Sequence, residues 1–465
     1  MSFRRLGAST SVRAAASAAA ATVAAASVTS SVWVADDERQ QQRLPLVSSC
    51  EQKSPAARMS SDSKSPCPGR SRGPKLLFLG SGSSTGCPKP LCALAFPDTR
   101  PNAYANAGNN DGDGYGYSCS CRDTTRTAIS DDGDPALAAL QEQLGHTCRT
   151  SKLAAVGDPR HNKNYRNNPS LLISHQNNDD DTFGEEPVPV RNVIIDCGKT
   201  FRETALRWMP ATGIRSIDAI VLTHEHMDAV AGLDDVRGFQ RRNAGGAMES
   251  TPVFLSRETF EAIRKQFFYL VPTKDPFRAH NGKVVQQSSD GKAKVVRAVA
   301  SLQYQLIESF GFQPFIAAGL RMVPLPVMHG EDLVCLGFAF TVNSSKAPQD
   351  IAGSKEDTEP KSGGLNVVYL SDISRMLPTT EAYILEKLPP TDVLIVDSLL
   401  VDRKHPVHFS LEQAIELARR LKPTKTFIVG INCDDFQPHD EANQELKKIE
   451  GIDVQLAFDG LVIEA

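Results

Sequence analysis

Cysteine is scarce in this chain, ten among 465 residues, and scattered at uneven intervals. That excludes a disulfide-stapled scaffold and leaves free thiols and one metal site as the open uses. Neither sign of charge dominates, with 51 basic against 55 acidic side chains for a net charge of -4. A protein that grips nucleic acid over its whole surface is more basic, so any such contact is local. Internal repeats and trains of apolar spans are missing too. Hydrophobic residues at 40% and charged residues at 23% belong to a globular chain slightly poor in apolar side chains, not to a disordered, collagenous or polytopic membrane protein. The length allows two or three domains, or one large domain with extra segments.

Acidic residues are absent before Asp36, while Arg4, Arg5 and Arg13 stand among Ala, Ser and Thr. Residues 1–35 therefore read as a transit peptide, which points to a mitochondrion or plastid. The uncharged stretch Ala14–Ala35 reaches the roughly 20 residues that span a bilayer. Secretory entry is thus an alternative, and an unprocessed tail on a cytoplasmic protein is another. Leu, Ile and Phe are missing there, which argues against stable membrane association. Residues 36–72 read as a disordered linker. One folded region over 73–465 follows, with polar insertions near 98–164 and 350–364, the first read as a largely mobile loop.

Within that region, β-rich runs lie at Leu76–Leu79, Ser170–Ile173, Val193–Asp196, Ile217–Leu222, Pro252–Leu255, Met322–Val327, Leu336–Val342, Val367–Leu370, Val393–Val396 and Phe427–Val429. Helical periods lie at Lys199–Trp208, Ala231–Arg241, Thr380–Leu388, Leu411–Leu421 and His439–Ile449. Strands in runs with interleaved helices predict an α/β fold of layered sheets with helices outside.

The chemistry-bearing residues sit where strands end. Thr223-His224-Glu225-His226-Met227-Asp228-Ala229 follows the run Ile217–Leu222. Two histidines at i and i+2 project to one side of extended backbone, and imidazoles with a carboxylate are ligands for first-row metals. Asp196, His329 and Asp372 each close another strand-like run. Singly each is an ordinary polar strand terminus. Together they bring several His and Asp side chains to one sheet edge, as a binuclear metal site requires. The Gly80-Ser81-Gly82-Ser83 turn reads either as strand-exit chemistry or as a nest of N–H groups for an anion, with Ser83 and Ser84 as its donors.

These segments, with Ile194-Ile195-Asp196-Cys197-Gly198-Lys199, Gly232-Leu233-Asp234-Asp235-Val236-Arg237, Pro324-Leu325-Pro326-Val327-Met328-His329-Gly330 and Phe458-Asp459-Gly460-Leu461, resemble the metallo-β-lactamase-fold hydrolases. The likeness runs from about Lys75 to the C-terminus outside the insertions. It is strongest to the phosphoribosyl cyclic phosphate phosphodiesterase branch and its uncharacterised plant and fungal relatives. The resemblance implies an αββα sandwich, two mixed sheets packed face to face with helices outside. It implies that His224, His226 and His329 hold one metal, that Asp372 bridges, that Asp228 holds a second, and that His408 assists catalysis. Zn2+ and/or Mn2+ is the implied ion. Two departures stand out: Ala229 and Gly430 occupy positions where the superfamily carries histidines for the second metal. The centre is then mononuclear, recruits His439 or water, or holds a weaker second ion.

The resemblance also implies a structural zinc on Cys92, Cys119, Cys121 and Cys433, with Cys433 in place of a histidine. A simple buried thiol at Cys433 and a redox pair at Cys119 and Cys121 stay open beside it. The implied function is hydrolysis of a small phosphate ester by a metal-activated hydroxide. The alternatives are a thioester or acyl hydrolase, and a degenerate metal protein without turnover. The expected partner is a small-molecule phosphate ester; nucleic acid is not expected, and a homodimer is left open.

Overall fold

Leu76 and Phe78 face one way along their strand and Leu77 and Leu79 the other, and all four are buried. A strand apolar on both faces has to be covered on both, which calls for an apolar layer on each side of its sheet. A computed structural model describes residues 73–95, 148–176, 190–343 and 364–465, apart from 245, 247, 273–274, 280–282 and 288–292. The segments 1–35 and 36–72, most of the first insertion with Cys119 and Cys121, and the second insertion up to 363 lie outside the described residues.

The first half of the chain runs β1 (Lys75–Gly80), α1 (Pro90–Ala95), α2 (Arg149–Ala154), β2 (Ser170–Gln176), β3 (Val190–Ile195), α3 (Phe201–Thr212), β4 (Ala219–Val221), α4 (Met227–Val230), β5 (Thr251–Leu255), α5 (Arg257–Gln266), β6 (Lys283–Gln287), β7 (Ala293–Ala298) and β8 (Leu302–Leu306). The second runs β9 (Phe315–Ala317), β10 (Leu320–His329), β11 (Leu333–Asn343), β12 (Gly364–Leu370), α6 (Pro378–Lys387), β13 (Val393–Asp397), α7 (Leu411–Leu421), β14 (Lys425–Val429), α8 (His439–Leu446), β15 (Val454–Leu456) and β16 (Val462–Glu464).

One seven-stranded sheet has the order β16-β1-β2-β3-β4-β5-β8 and the other β15-β14-β13-β12-β11-β10-β9, with β6 and β7 paired apart. Each is mixed. In the first, β3, β4, β5 and β8 are parallel, and in the second β12, β13, β14 and β15 are. Parallel strands end on one edge, so β3 and β4 deliver their last residues together, as do β12, β13 and β14. Because β11 is antiparallel to both its neighbours, β10 also ends on that edge. Pro324 and Pro326 are tolerated in β10 because β9 pairs only with Leu320–Met322 and the next bridge on that side is at Met328 with Arg375, leaving the two prolines no ladder partner to serve there.

The layers follow from the alternation. Leu76, Phe78, Val193 and Ile195 meet Phe338, Tyr369, Ile395 and Phe427 between the sheets. Outside the first sheet, Phe201, Ala205, Trp208 and Met209 make the i, i+4, i+7, i+8 face of α3. Outside the second, Ala414, Leu417, Ala418 and Leu421 do the same for α7, whose start is fixed by a Ser410/Gln413 capping box. This is the αββα sandwich.

The helix expected at Ala231–Arg241 is absent. The chain makes only the one-turn α4 and a 3-10 turn at Asp235–Gly238. The Gly232 N–H donates to Cys197 O at 2.8 Å, which draws that backbone against the turn after β3 and interrupts the helical ladder. At the end of the first expected insertion, residues 148–164 fold as α2 and ordered turns, with Thr150 and Ser151 buried. Strands β6 to β9, β15 and β16 and helix α5 were not anticipated. All six strands are short, between three and six residues, too few for an apolar period to register.

Asp459 ties the turn after β1 to the residues before β2. Its carboxylate accepts from the Ser81 N–H and hydroxyl at 2.9 Å each, and from the Asn167 N–H and amide at 2.8 Å each. Replacing it strands buried donors at about 1–3 kcal/mol apiece. Asp459→Ala should therefore cost about 3 kcal/mol or more, read as a lower urea midpoint at unchanged m-value; a midpoint equal to wild type would deny the carboxylate that role.

Candidate metal centre

The first sheet supplies two imidazoles through a hydrogen-bonded relay. Asp196 follows β3 with φ of 62°, a left-handed conformation that costs a non-glycine residue strain. In return its carboxylate accepts from the Thr223 N–H at 2.9 Å and from Thr223 Oγ1 at 2.8 Å. With its proton so engaged, Thr223 Oγ1 accepts from His224 Nδ1, 2.8 Å away. That fixes the tautomer and leaves Nε2 with a free lone pair. Backbone bonds pin the loop beyond: Cys197 N to Ala229 O at 2.7 Å and Lys199 N to Met227 O at 3.2 Å.

The second sheet supplies the rest. His329 ends β10, and its Nδ1 donates to Val407 O at 2.7 Å, again freeing Nε2. Asp372 follows β12 with φ of 54° and accepts from Ser371 Oγ at 2.7 Å. A cross-sheet hydrogen bond, Leu336 N to Thr223 O at 3.0 Å, joins the two halves beside the histidines. His224, His226 and His329 bring one ligand atom each within 4.8 Å of one another, and so do His329, Asp372 and His408.

Do these residues fit a metal ion? His224 Nε2 is buried and has no hydrogen-bond partner, a costly state for a ring nitrogen unless something else takes its lone pair. Burial holds His224 down at about 3 and lowers His329 as well, so both rings are neutral, the ligating form. Burial would raise Asp372, but the charge of His408 and the hydrogen bond from Ser371 oppose it, and the carboxyl lies below its ordinary value. Three imidazoles, with His224 and His329 held neutral, and an ionised carboxylate are a fit for a divalent first-row ion.

His408 stands beside this set. Its Nδ1 is 2.7 Å from Asp397 Oδ2 and 4.0 Å from Asp372 Oδ1. Burial alone would lower the ring, but the charge and hydrogen bond of Asp397 push it up to about 9. Burial pushes Asp397 itself up to about 6. The ring, at about 9, holds a proton more tightly than the carboxyl, at about 6, so the pair favours the imidazolium and the carboxylate. Asp397 was missed in the sequence, although Val393–Val396 followed by an acid carries the same strand-then-acid signal as Asp196 and Asp372.

Other expected contributors stand elsewhere. Asp228 belongs to neither ligand cluster; burial, aided by the charge of Asp372, raises it to about 6. His439 contacts Arg166 Nη2 at 3.4 Å and Asn443 Nδ2 at 2.9 Å, so both its ring nitrogens are engaged away from the centre. In the Gly80–Ser84 turn several N–H groups are already engaged within the protein: Ser81 on Asp459, Gly82 on Asn167 O and Ser83 on Ile431 O.

A second cluster joins the early loop to the end of β14. Cys92, Cys148, Cys433 and Asp434 bring their ligand atoms within 4.8 Å, and Cys87 packs in the same buried group. Hydrogen bonds from Cys148 and Cys87 hold the Cys433 thiol down at about 2, while burial raises Cys92 to about 11. Cys148 and Cys87 were missed. Cys148 sits at the edge of the polar insertion, where no apolar pattern marks it as buried.

Residues 191–431 match the Beta-lactamase superfamily domain. The chain is 25% identical over 273 residues to an octanoyltransferase of Porphyromonas gingivalis (strain ATCC BAA-308 / W83), a match covering 58% of this chain and 42% of that protein. The chain thus spans less than half the length of that relative. Among solved structures it is similar to a diphosphatase from the PhnP family, with 22% identity, a TM-score of 0.48 and coverage of 84% of this chain and 97% of that one. It is also similar to Zn(2+)-bound PqqB from Methylobacterium extorquens, with 13% identity, a TM-score of 0.47 and coverage of 84% and 100%.

Gly198 is where the two loops of the first sheet touch. A Cβ there would lie 1.8 Å from Asp228 O, so backbone has to move. Gly198→Ala should destabilise the fold by about 1–3 kcal/mol and weaken metal binding more than tenfold, measured by denaturation and by metal titration. Wild-type affinity in a folded variant would show that the His224–Asp228 loop is positioned by something else.

Proposed function

We propose that this chain, which belongs to the beta-lactamase superfamily, hydrolyses a small phosphate diester with the His224–His226–His329–Asp372 centre as its metal site. The buried, unpartnered His224 Nε2 facing two further imidazoles is the observation that carries the metal; the resemblance to the cyclic phosphate phosphodiesterase branch selects the ester. Zn2+ or Mn2+ suits the donor set. When bound, such an ion supplies Lewis acidity, polarising a phosphoryl oxygen and acidifying water.

The chain's own residues do the rest. Thr223 and Val407 hold the His224 and His329 rings with Nε2 inward. Asp397 fixes His408 through Nδ1, which leaves Nε2 to carry a proton toward the leaving oxygen. General acid help of this kind is worth about 10²–10⁴-fold. Binding a cation nearby disfavours the imidazolium, so its pKa falls below the value of about 9. The acid is active below its pKa and lost above it.

The expected outcome is a split between two variants. His226→Ala should lose catalytic metal and turnover together. His408→Ala should keep the metal, lose about 10²–10⁴ in kcat, and lose the alkaline fall in rate that wild type shows below pH of about 9. Assays on bis-p-nitrophenyl phosphate, a cyclic phosphate and a thioester separate the substrate classes. Preference for the thioester would move the function to acyl hydrolysis, and no turnover with bound metal would leave a binding protein.

The thiol cluster is proposed as a structural zinc site on Cys92, Cys148 and Cys433, with Cys87 or Asp434 completing a closed tetrahedral set. It would tie α1 and α2 to the end of β14 and add folding free energy there. Elemental analysis should show Cys433→Ala short of one zinc per chain with the catalytic ion retained. An unchanged zinc count, or rapid alkylation of native Cys433, would remove the idea.

A further inference from the structure

The loop between β13 and α7 carries a second histidine three residues before His408, in His405-Pro406-Val407-His408. Val407 orients rings on both sides of itself. Its carbonyl accepts from His329 Nδ1 at 2.7 Å, and its N–H donates to His405 Nδ1 at 3.3 Å. A residue that precedes proline is confined to extended backbone, so His405 is fixed through its main chain as well as through its ring. With Nδ1 accepting, the ring is neutral and carries its proton on Nε2. No hydrogen bond among the described residues uses that N–H, and the ring is partly exposed. Its centroid lies 5.5 Å from that of His408, which lies 4.9 Å from that of His329. An oriented, unspent donor therefore stands at the side of the metal centre. Its neighbours there are acceptors or already engaged. Asp372 and Asp397 are carboxylates, and Ser374 Oγ donates to Met328 O at 3.0 Å while taking the Gly330 N–H at 2.9 Å. A phosphate diester brings two non-bridging oxygens that share a negative charge. With one of them on a bound cation, the other still needs a donor.

We infer that His405 is a substrate-binding residue, whose Nε2–H donates to a non-bridging oxygen of the phosphoryl group whose leaving oxygen His408 serves. This rests on the proposed hydrolysis of a phosphate ester and adds the group that holds the second anionic oxygen. Each N–H reaches an oxygen about 3 Å away, so rings with centroids 5.5 Å apart can serve two oxygens of one phosphorus. A hydrogen bond to an oxygen that is anionic throughout holds substrate and transition state alike, so it is read in KM more than in kcat.

The test compares His405→Ala and His405→Gln with wild type in the metal-loaded full chain, reading turnover of bis-p-nitrophenyl phosphate and, separately, binding of inorganic phosphate. Metal content should match wild type in both variants. His405→Ala should raise KM for the diester and Kd for phosphate by about 10–100-fold each, the loss of one hydrogen bond to a charged oxygen. The fall in kcat should be smaller, and the alkaline fall in rate assigned to His408 should stay. His405→Gln returns a side-chain N–H and should recover most of both constants. Unchanged KM and Kd in His405→Ala, a Gln variant no better than Ala, or loss of metal would each overturn the inference. Failure of the diester reading looks different: wild type would not turn over the diester, while phosphate binding that still depends on His405 would keep the donor role. If phosphate does not bind the loaded wild type either, both fall.

Discussion

The hydrogen bonds from Thr223 to the buried Asp196 carboxylate are what the rest of the centre depends on. They hold the exit of β4 against the exit of β3. Through the Thr223 hydroxyl they set the tautomer of His224, and through Leu336 N on Thr223 O they reach the second sheet. One acceptor thus couples strand register to ring orientation. Asp196 itself belongs to none of the ligand clusters among the described residues. Its left-handed backbone is a local cost that the four surrounding strand ends over-determine, and Asp372 repeats the device at the matching place in the other sheet. Each half of the sandwich turns its chain sharply at an aspartate, one carboxylate facing a threonine and the other facing the histidines.

This division explains what could be read without coordinates. His224, His226, His329 and Asp372 were legible because each follows an apolar run, and strand ends of a parallel sheet share an edge. Burial on both faces made those runs continuous and easy to see. Asp397 carried the same signal and was passed over because its partner, His408, lies eleven residues on, across a loop with no period. Helix α5 was missed although Ser256 caps the Thr259 N–H and Phe260 and Ile263 lie three apart on its buried side, because its apolar face is only a few residues wide. The expected helix at Ala231–Arg241 failed for the opposite reason: its apolar positions fit a helix, and a backbone contact at Gly232 prevents one. No periodicity encodes that kind of contact.

Cys148 belongs to a different class of omission. A thiol in a polar segment has no local pattern to announce its burial, and only long-range closure brings it to Cys433, 285 residues away. The same closure carries a charge problem. Arg166 is 1% exposed, with Nε and Nη1 finding no partner in the protein, and an unpaired buried guanidinium is expensive. Burial lowers its pKa, and the groups that oppose this are Cys87, Asp459 and Cys433. The cation is therefore balanced from two directions, by the carboxylate beneath Ser81 and by the thiol cluster. Removing the negative charge of that cluster would leave Arg166 facing Asp459 alone. The early loop, the last strands and the buried arginine are thus one electrostatic unit, and it lies against the strand end that Gly430 leaves bare. Ile431 N on Ser81 O and Ser83 N on Ile431 O carry the position of that unit directly to the backbone beside Asp397, so the packing of the early loop and the shape of the far side of the metal centre are set together.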